Sequence, residues 1–361
     1  MKINPFAIVA ALLLTLAIQA TGLAVMGGYS KVPVPANSDV TVAVTLTQAP
    51  VGTFTATGNT GGNSITVSGG LTVNAYQNLY YVVVTSGTAA GRWSTISSNT
   101  ATNLVLADAS FVTNVSNGTT FQIIPHQTLA KVFSPDLLRL SFTASTSSTT
   151  HTFEVLLPNP SPGINNAPVD IYYYRGAFTA NGSSQPYAWR KSGSTHTYDV
   201  YDNTVLSPDS IITVRNLNGT ALTFIASGIL PAYDRAQTIP VISQQNDVPV
   251  NSGSPLALTL RSLNLGGTAA FQSSTSSTTH TDELYVYTNT QTGLNNAPVD
   301  IYYYRGAFTA NGISQPYAWR KNGAAHTYDS YDDQVLPVGA AMFIRKGTTG
   351  STATWIRISG Y

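Results

Sequence analysis

A stretch of 38 residues occurs twice in this chain of 361. Residues 165–202 read NNAPVDIYYYRGAFTANGSSQPYAWRKSGSTHTYDVYD, and residues 295–332 read NNAPVDIYYYRGAFTANGISQPYAWRKNGAAHTYDSYD. The copies differ at five positions: Ser183/Ile313, Ser192/Asn322, Ser194/Ala324, Thr195/Ala325 and Val200/Ser330. Segments this alike must fold alike, so the chain contains two related units. STSSTTHT also recurs, at 145–152 and 274–281, with one residue inserted before the longer repeat. A weaker echo relates VPVPANSDVTVAVTL (32–46) to VPVNSGSPLALTL (248–260), matched at VPV.

The periodicity inside these segments is that of strands. Val40, Val42 and Val44 alternate with Thr41, Ala43 and Thr45, which predicts a strand with one buried face. In VDIYYY the same parity places Asp170, Tyr172 and Tyr174 on one face and Val169, Ile171 and Tyr173 on the other. Asn181-Gly182 is a tight-turn signal, with PYAWRK as the returning strand. Two further strands close each unit, which then has the size of a β-sandwich. Residues 50–125 have no counterpart in the second half and carry about six short strands between turn residues. Closing them into a small barrel removes exposed edges. QTLAKVF (127–133) is the expected helical turn.

The expected fold is therefore all-β: two related β-sandwich (jelly-roll-like) units, the first with an inserted small β-barrel. The expected division is a signal peptide at 1–24, a first unit at 25–49 and 126–243, the barrel at 50–125 and a second unit at 244–361. Lys2 followed by the apolar run 6–20 and the small residues Ala20, Gly22 and Ala24 carries the signal reading. The run is shorter than the ~20 residues of a spanning helix, and none like it follows, so no membrane span is expected after its removal. The expected location is outside the cytoplasm: extracellular, periplasmic or at the cell surface. Charged residues are only 9 % and the net charge is +1, so the chain lacks the basic field that gathers nucleic acid or anionic lipid. Absence of cysteine suits an exported bacterial protein held by sheet packing.

The order VPVPANSDVTVAV, YYVVVTSGTAAGRWSTISSNTATNLVL, FQIIPHQTL, VDIYYYRGAF, SIITVRN resembles that of a paralogous family of secreted proteins from Verrucomicrobia. The likeness spans nearly all of the chain after the signal, and this sequence departs from it by carrying a second copy of the last unit. The resemblance implies export and a β-rich fold. That family has no assigned activity, so no site residue carries over.

Three constellations are candidates for chemistry. The only glutamates are Glu154 and Glu283, one per copy. A glycosidase needs two carboxylates ~5–10 Å apart, and Asp282 beside Glu283 points to the opposite face of an extended strand. Exposed strand residues are the simpler reading. H-T-Y-D-x-Y-D supplies His196, Asp199 and Asp202, and again His326, Asp329 and Asp332. These groups would hold a cation, calcium first, if a loop turned all three inward, and they otherwise act as turn formers. No other cofactor is expected. The third set is Tyr172, Tyr174, Tyr187 and Trp189, with Tyr302, Tyr304, Tyr317 and Trp319. As surface rings they would stack on sugars, and duplication would add avidity for a polysaccharide. As core rings they would pair across strands. His151 and His280 read as lone polar-loop residues. No cysteine, G-x-S-x-G elbow or nucleotide-binding fingerprint is present. The expected function is an exported, non-catalytic structural or cell-surface role, self-association included. A glycan-binding module is the alternative and a glycoside-active enzyme the last.

Overall fold

The computed structural model describes residues 27–59, 62–112, 114–133, 143–195, 197–288, 290–325 and 327–357. The signal segment expected at 1–24 lies outside them. Among the described residues no helix is long and apolar enough to cross a membrane. The chain's regular secondary structure is almost all strand, with two four-residue helical turns and one 3-10 turn among the described residues, as expected for an all-β protein.

Each unit packs a five-stranded antiparallel sheet against a two-stranded ribbon. The first sheet runs Ala188–Lys191, Asp170–Arg175, Phe153–Leu157, Ile211–Asn216, Ser38–Ala43. The opposing ribbon pairs Gly27–Val34 with Leu222–Ile229. The second sheet repeats this order with Ala318–Lys321, Asp300–Arg305, Glu283–Val286, Ala341–Lys346 and Asn246–Asn251, faced by Arg235–Ile239 on Ala353–Arg357. Val32, Val34, Leu222 and Phe224 of the first ribbon meet Val40, Val42, Val155, Tyr172, Tyr174 and Trp189 in one core. The helical turn Leu129–Val132 closes its end and brings Phe133 to within 5.5 Å of the Trp189 ring. In the second unit Phe271, from an irregular segment, stands 5.0 Å from Trp319 in the equivalent place.

Two expectations about organisation are corrected. Register pairs Val40 with Val214 and Val248 with Ile344, so Ser38-Asp39-Val40 corresponds to Asn246-Asp247-Val248. The Val-Pro-Val of 32–34 lies in the ribbon, whereas that of 248–250 lies in the sheet, so the two matching triplets are not structural equivalents. The expected boundary at 243/244 also assigns Arg235–Ile239 to the first unit, but its ladder is with Ala353–Arg357 of the second.

Between Ser38–Ala43 and Gln127–Thr128, six strands form a closed barrel, in the order Gly52–Asn59, Ser64–Val67, Asn103–Leu106, Trp93–Asn99, Tyr80–Val84, Thr120–Pro125. Ile65, Val82, Val84, Ile96, Leu104, Phe121 and Ile123 fill it. The barrel also touches the second unit. Ala236 N–H donates to Gly91 O at 2.9 Å, and a Cβ on Gly91 would stand 2.7 Å from Asp234 O, so the backbones can approach there only through glycine. Asp209 accepts from Trp93 Nε1 of the barrel at 2.6 Å and from Arg357 of the second unit, joining all three bodies at one carboxylate.

Candidate functional site

The long hairpin predicted in each copy is present. Tyr172 to Arg175 pair with Lys191 to Ala188, and a short ribbon, Phe178–Ala180 on Ser183–Gln185, projects beyond them. Asn181 and Gly182 both have positive φ, 47° and 73°, the backbone that an Asn-Gly turn supplies to a two-residue connection. The predicted parity holds: Tyr172 and Tyr174 enter the core, while Tyr173 faces the other side and stacks on His151 at 3.9 Å.

This placement decides the aromatic set. Trp189 is fully buried, Trp319 is 2 % exposed, and Tyr172, Tyr174 and Tyr302 are also buried, with Tyr304 packed against the second core. None of these six rings offers a face to a sugar. Only Tyr187 and Tyr317 remain exposed, at 43 % and 58 %, each stacked on the tyrosine beneath it.

The H-T-Y-D-x-Y-D segments prove to be edge seals. Ala188–Lys191 is the last strand of its sheet, and the Asp202 carboxylate accepts the outward Trp189 N–H at 2.8 Å, while Tyr201 N–H donates to Trp189 O at 2.9 Å. Asp332 and Tyr331 do the same for Trp319. A side chain thus completes a ladder that would otherwise end in open backbone groups. Among the described residues no three His, Asp or Glu side chains gather in a way that would hold a metal ion. His196 and His326 lie outside the described residues, and Asp199 and Asp329 sit near the buried Arg190 and Arg320, which donate to the Tyr198 and Tyr328 carbonyls.

The two glutamates do not pair with each other. Glu154 takes a hydrogen bond at 2.6 Å from His151 Nδ1, and Glu283 one at 2.7 Å from His280 Nδ1 and another at 2.8 Å from Tyr285. The His280 bond holds the Glu283 carboxyl below its ordinary range. His151 and His280 do lie in the loop before each strand, but they are not lone: each ring stacks on a tyrosine, Tyr173 or Tyr303, and bonds to its glutamate. Each lies three positions before its glutamate, a spacing that carries no such meaning until the chain between them turns. Asp282 is buried on the opposite face, paired with Lys346, where the first unit has Phe153 and Asn216.

The most developed polar constellation lies between the units. Asp39 accepts from Arg215 Nε and Nη2, both at 2.8 Å, and from Asn295 N–H at 2.7 Å, while Arg215 Nη2 donates to Asn295 Oδ1 at 2.7 Å. Asp247 accepts from Arg345 at 2.8 and 2.9 Å and from Asn165 N–H at 2.8 Å, and Arg345 Nη2 donates to Asn165 Oδ1 at 2.8 Å. Each unit thus inserts its Asn-Asn-Ala-Pro loop into the Asp–Arg socket of the other. Asn165 and Asn295 adopt positive φ, 54° and 55°, which turns their backbone N–H toward the socket. Asp39 N–H donates to Gly293 O and Asp247 N–H to Gly163 O, both at 2.9 Å, so each loop also seals the opposite unit's outermost strand. The arrangement is that of an isologous dimer within one chain. Hydrogen bonding to Asp39 and Asp247 raises the Arg215 and Arg345 pKa values, which keeps both clasps charged. Sequence reasoning missed the clasp because Asp39 and Arg215 are 176 positions apart and neither belongs to the near-identical stretch.

Searches against family models, curated proteins and solved structures find no match to this chain.

Proposed function

We propose that this is an exported, non-catalytic structural or cell-surface protein. The supporting observation is the reciprocal clasp, together with the Asp209 junction. Residues of the types a catalytic site would use, Asp, Arg and Asn, are spent on fastening two sandwiches and a barrel into one body. Export rests on the leader pattern and agrees with the resemblance to secreted Verrucomicrobia proteins. Fractionation of the producing cells tests this reading, with recovery in the envelope or the medium as the expected result. A monomer confined to the cytosol would refute it.

A second reading follows from Tyr187 and Tyr317. They occupy equivalent places on two copies of one hairpin and are the exposed members of the aromatic set. Rings presented twice on one rigid body suit a polymeric glycan through avidity. Titration with polysaccharides, comparing the native chain with a Tyr187→Ala/Tyr317→Ala variant, distinguishes this role. Equal heats from both proteins would exclude it.

A further inference from the structure

The clasp brings two unlike walls together. A cleft of about 450 Å³ lies between the units, and its frame is made of equivalent pairs: Asp39/Asp247, Arg215/Arg345, Asn166/Asn296 and Pro168/Pro298. The walls inside that frame differ. On the first unit the cross-strand pair is Leu156 with Thr213; at the same register the second unit has Tyr285 with Phe343. Tyr287 takes the place of Pro158 and lies edge-on to Phe343 at 5.8 Å. One side is aliphatic and small, the other aromatic.

The volume is that of a small-molecule pocket, and a boundary between units is a common place for one. Its charges cancel within each clasp, so no uncompensated guanidinium or carboxylate invites an ionic ligand. What remains for recognition is polar and neutral. The Tyr287 phenol and the Asn159, Asn166 and Asn296 amides line the cleft, with Asn166 spending one amide N–H on Ser161 O at 2.7 Å and Asn159 Oδ1 accepting from Ser161 N–H at 2.9 Å. Asn296 uses its amide N–H on Asp39 O at 3.1 Å, which leaves its side-chain oxygen as an acceptor. An aromatic wall ringed by amide and phenol groups matches a pyranose, whose C–H face stacks while its hydroxyls both donate and accept.

We infer that the inter-repeat cleft binds a neutral oligosaccharide segment of about disaccharide size. One ring lies on the Tyr287–Phe343 wall and the next lies against Leu156. This site is separate from the hairpin rings of the second functional reading and stands without it.

The test titrates the full chain with cellobiose, maltose, xylobiose and N,N′-diacetylchitobiose, by calorimetry and by saturation-transfer NMR. At least one should saturate with a Kd of about 1 mM or tighter. Tyr287→Ala should weaken that binding at least tenfold, and Leu156→Trp, which fills the cleft from the other wall, should abolish it. Tyr287→Phe keeps the ring and the fold and should weaken it by a smaller factor, which preserves the test if the alanine variant unfolds. Tyr187→Ala/Tyr317→Ala should leave it unchanged. Absence of saturable binding to all of these sugars at about 50 mM overturns the inference. Binding that survives both Tyr287→Ala and Leu156→Trp, or that is lost only in the hairpin variant, overturns it equally.

Discussion

Replacing Asp39 by alanine removes one clasp while leaving its partners in place. The carboxylate is 5 % exposed and accepts three hydrogen bonds, two from Arg215 and one from Asn295 N–H. Without it the Arg215 guanidinium keeps Asn295 Oδ1 and a distant contact of 3.8 Å to Glu154. Removing one member of a buried ion pair costs about 3–5 kcal/mol, because the remaining charge stays desolvated. That is a large share of the ~5–15 kcal/mol by which a domain is stable. Urea unfolding followed by tryptophan fluorescence reports on every body, since Trp93 lies in the barrel, Trp189 in the first unit, and Trp319 and Trp355 in the second. The native chain should unfold in one transition, and Asp39→Ala should lower its midpoint and separate the units into distinct steps. Asp247→Ala should behave alike, and adding it to Asp39→Ala should cost less than the sum, since both clasps guard one joint. The reasoning fails if Asp39→Ala shifts stability by less than ~0.5 kcal/mol, the scale of an exposed pair.

Asp202→Ala should destabilise the first unit by about 1–3 kcal/mol by orphaning the Trp189 N–H, while EDTA leaves the native melting temperature unchanged; a chelator-sensitive melt would favour the cation reading. Burial lowers the His126 pKa from 6.5 to about 4, with Lys131 adding to the effect. A depressed imidazole favours folding fully above pH 6.5 and loses that contribution as the pH falls toward 4, some ~3 kcal/mol in all. Urea midpoints at pH 7 and 4.5 should therefore converge in His126→Gln relative to the native chain; parallel shifts would contradict this. Glu283 has a depressed carboxyl pKa, so its contribution is present above the ordinary carboxylate range and disappears as the pH drops through its folded value. Glu283→Gln should accordingly flatten the acid limb of the stability curve. Trp189→Ala should cost about 3–5 kcal/mol as a core cavity, and circular dichroism on heating measures it.

The strands and turns of this chain were legible because they are local. Alternation in VDIYYY gave the inward tyrosines, Asn-Gly gave the hairpin, and the breaker-separated runs between 50 and 125 gave six barrel strands. The misplaced echo shows the limit of matching letters: Val-Pro-Val serves in a ribbon once and in a sheet once, and only pairing partners tell the two apart. Site chemistry was harder because it is made by long-range approach. His151 acquires its glutamate only when the STSSTTHT loop turns back. Asp202 becomes an edge seal only because Ala188–Lys191 is the outermost strand. The candidate rings recur at matching positions in both copies, but residue type alone could not say that Trp189 faces inward and Tyr187 outward.

Joining two sandwiches in one polypeptide has a genetic consequence. In an assembly of two identical chains every substitution appears on both sides of the dyad, so a change that helps one side is imposed on the other. Here each half is encoded separately. Asn165 and Asn295 can stay the same where docking demands it, while Leu156 and Tyr285 drift apart. Covalent fusion thereby frees the interior of a symmetric joint to become lopsided without loosening the joint itself.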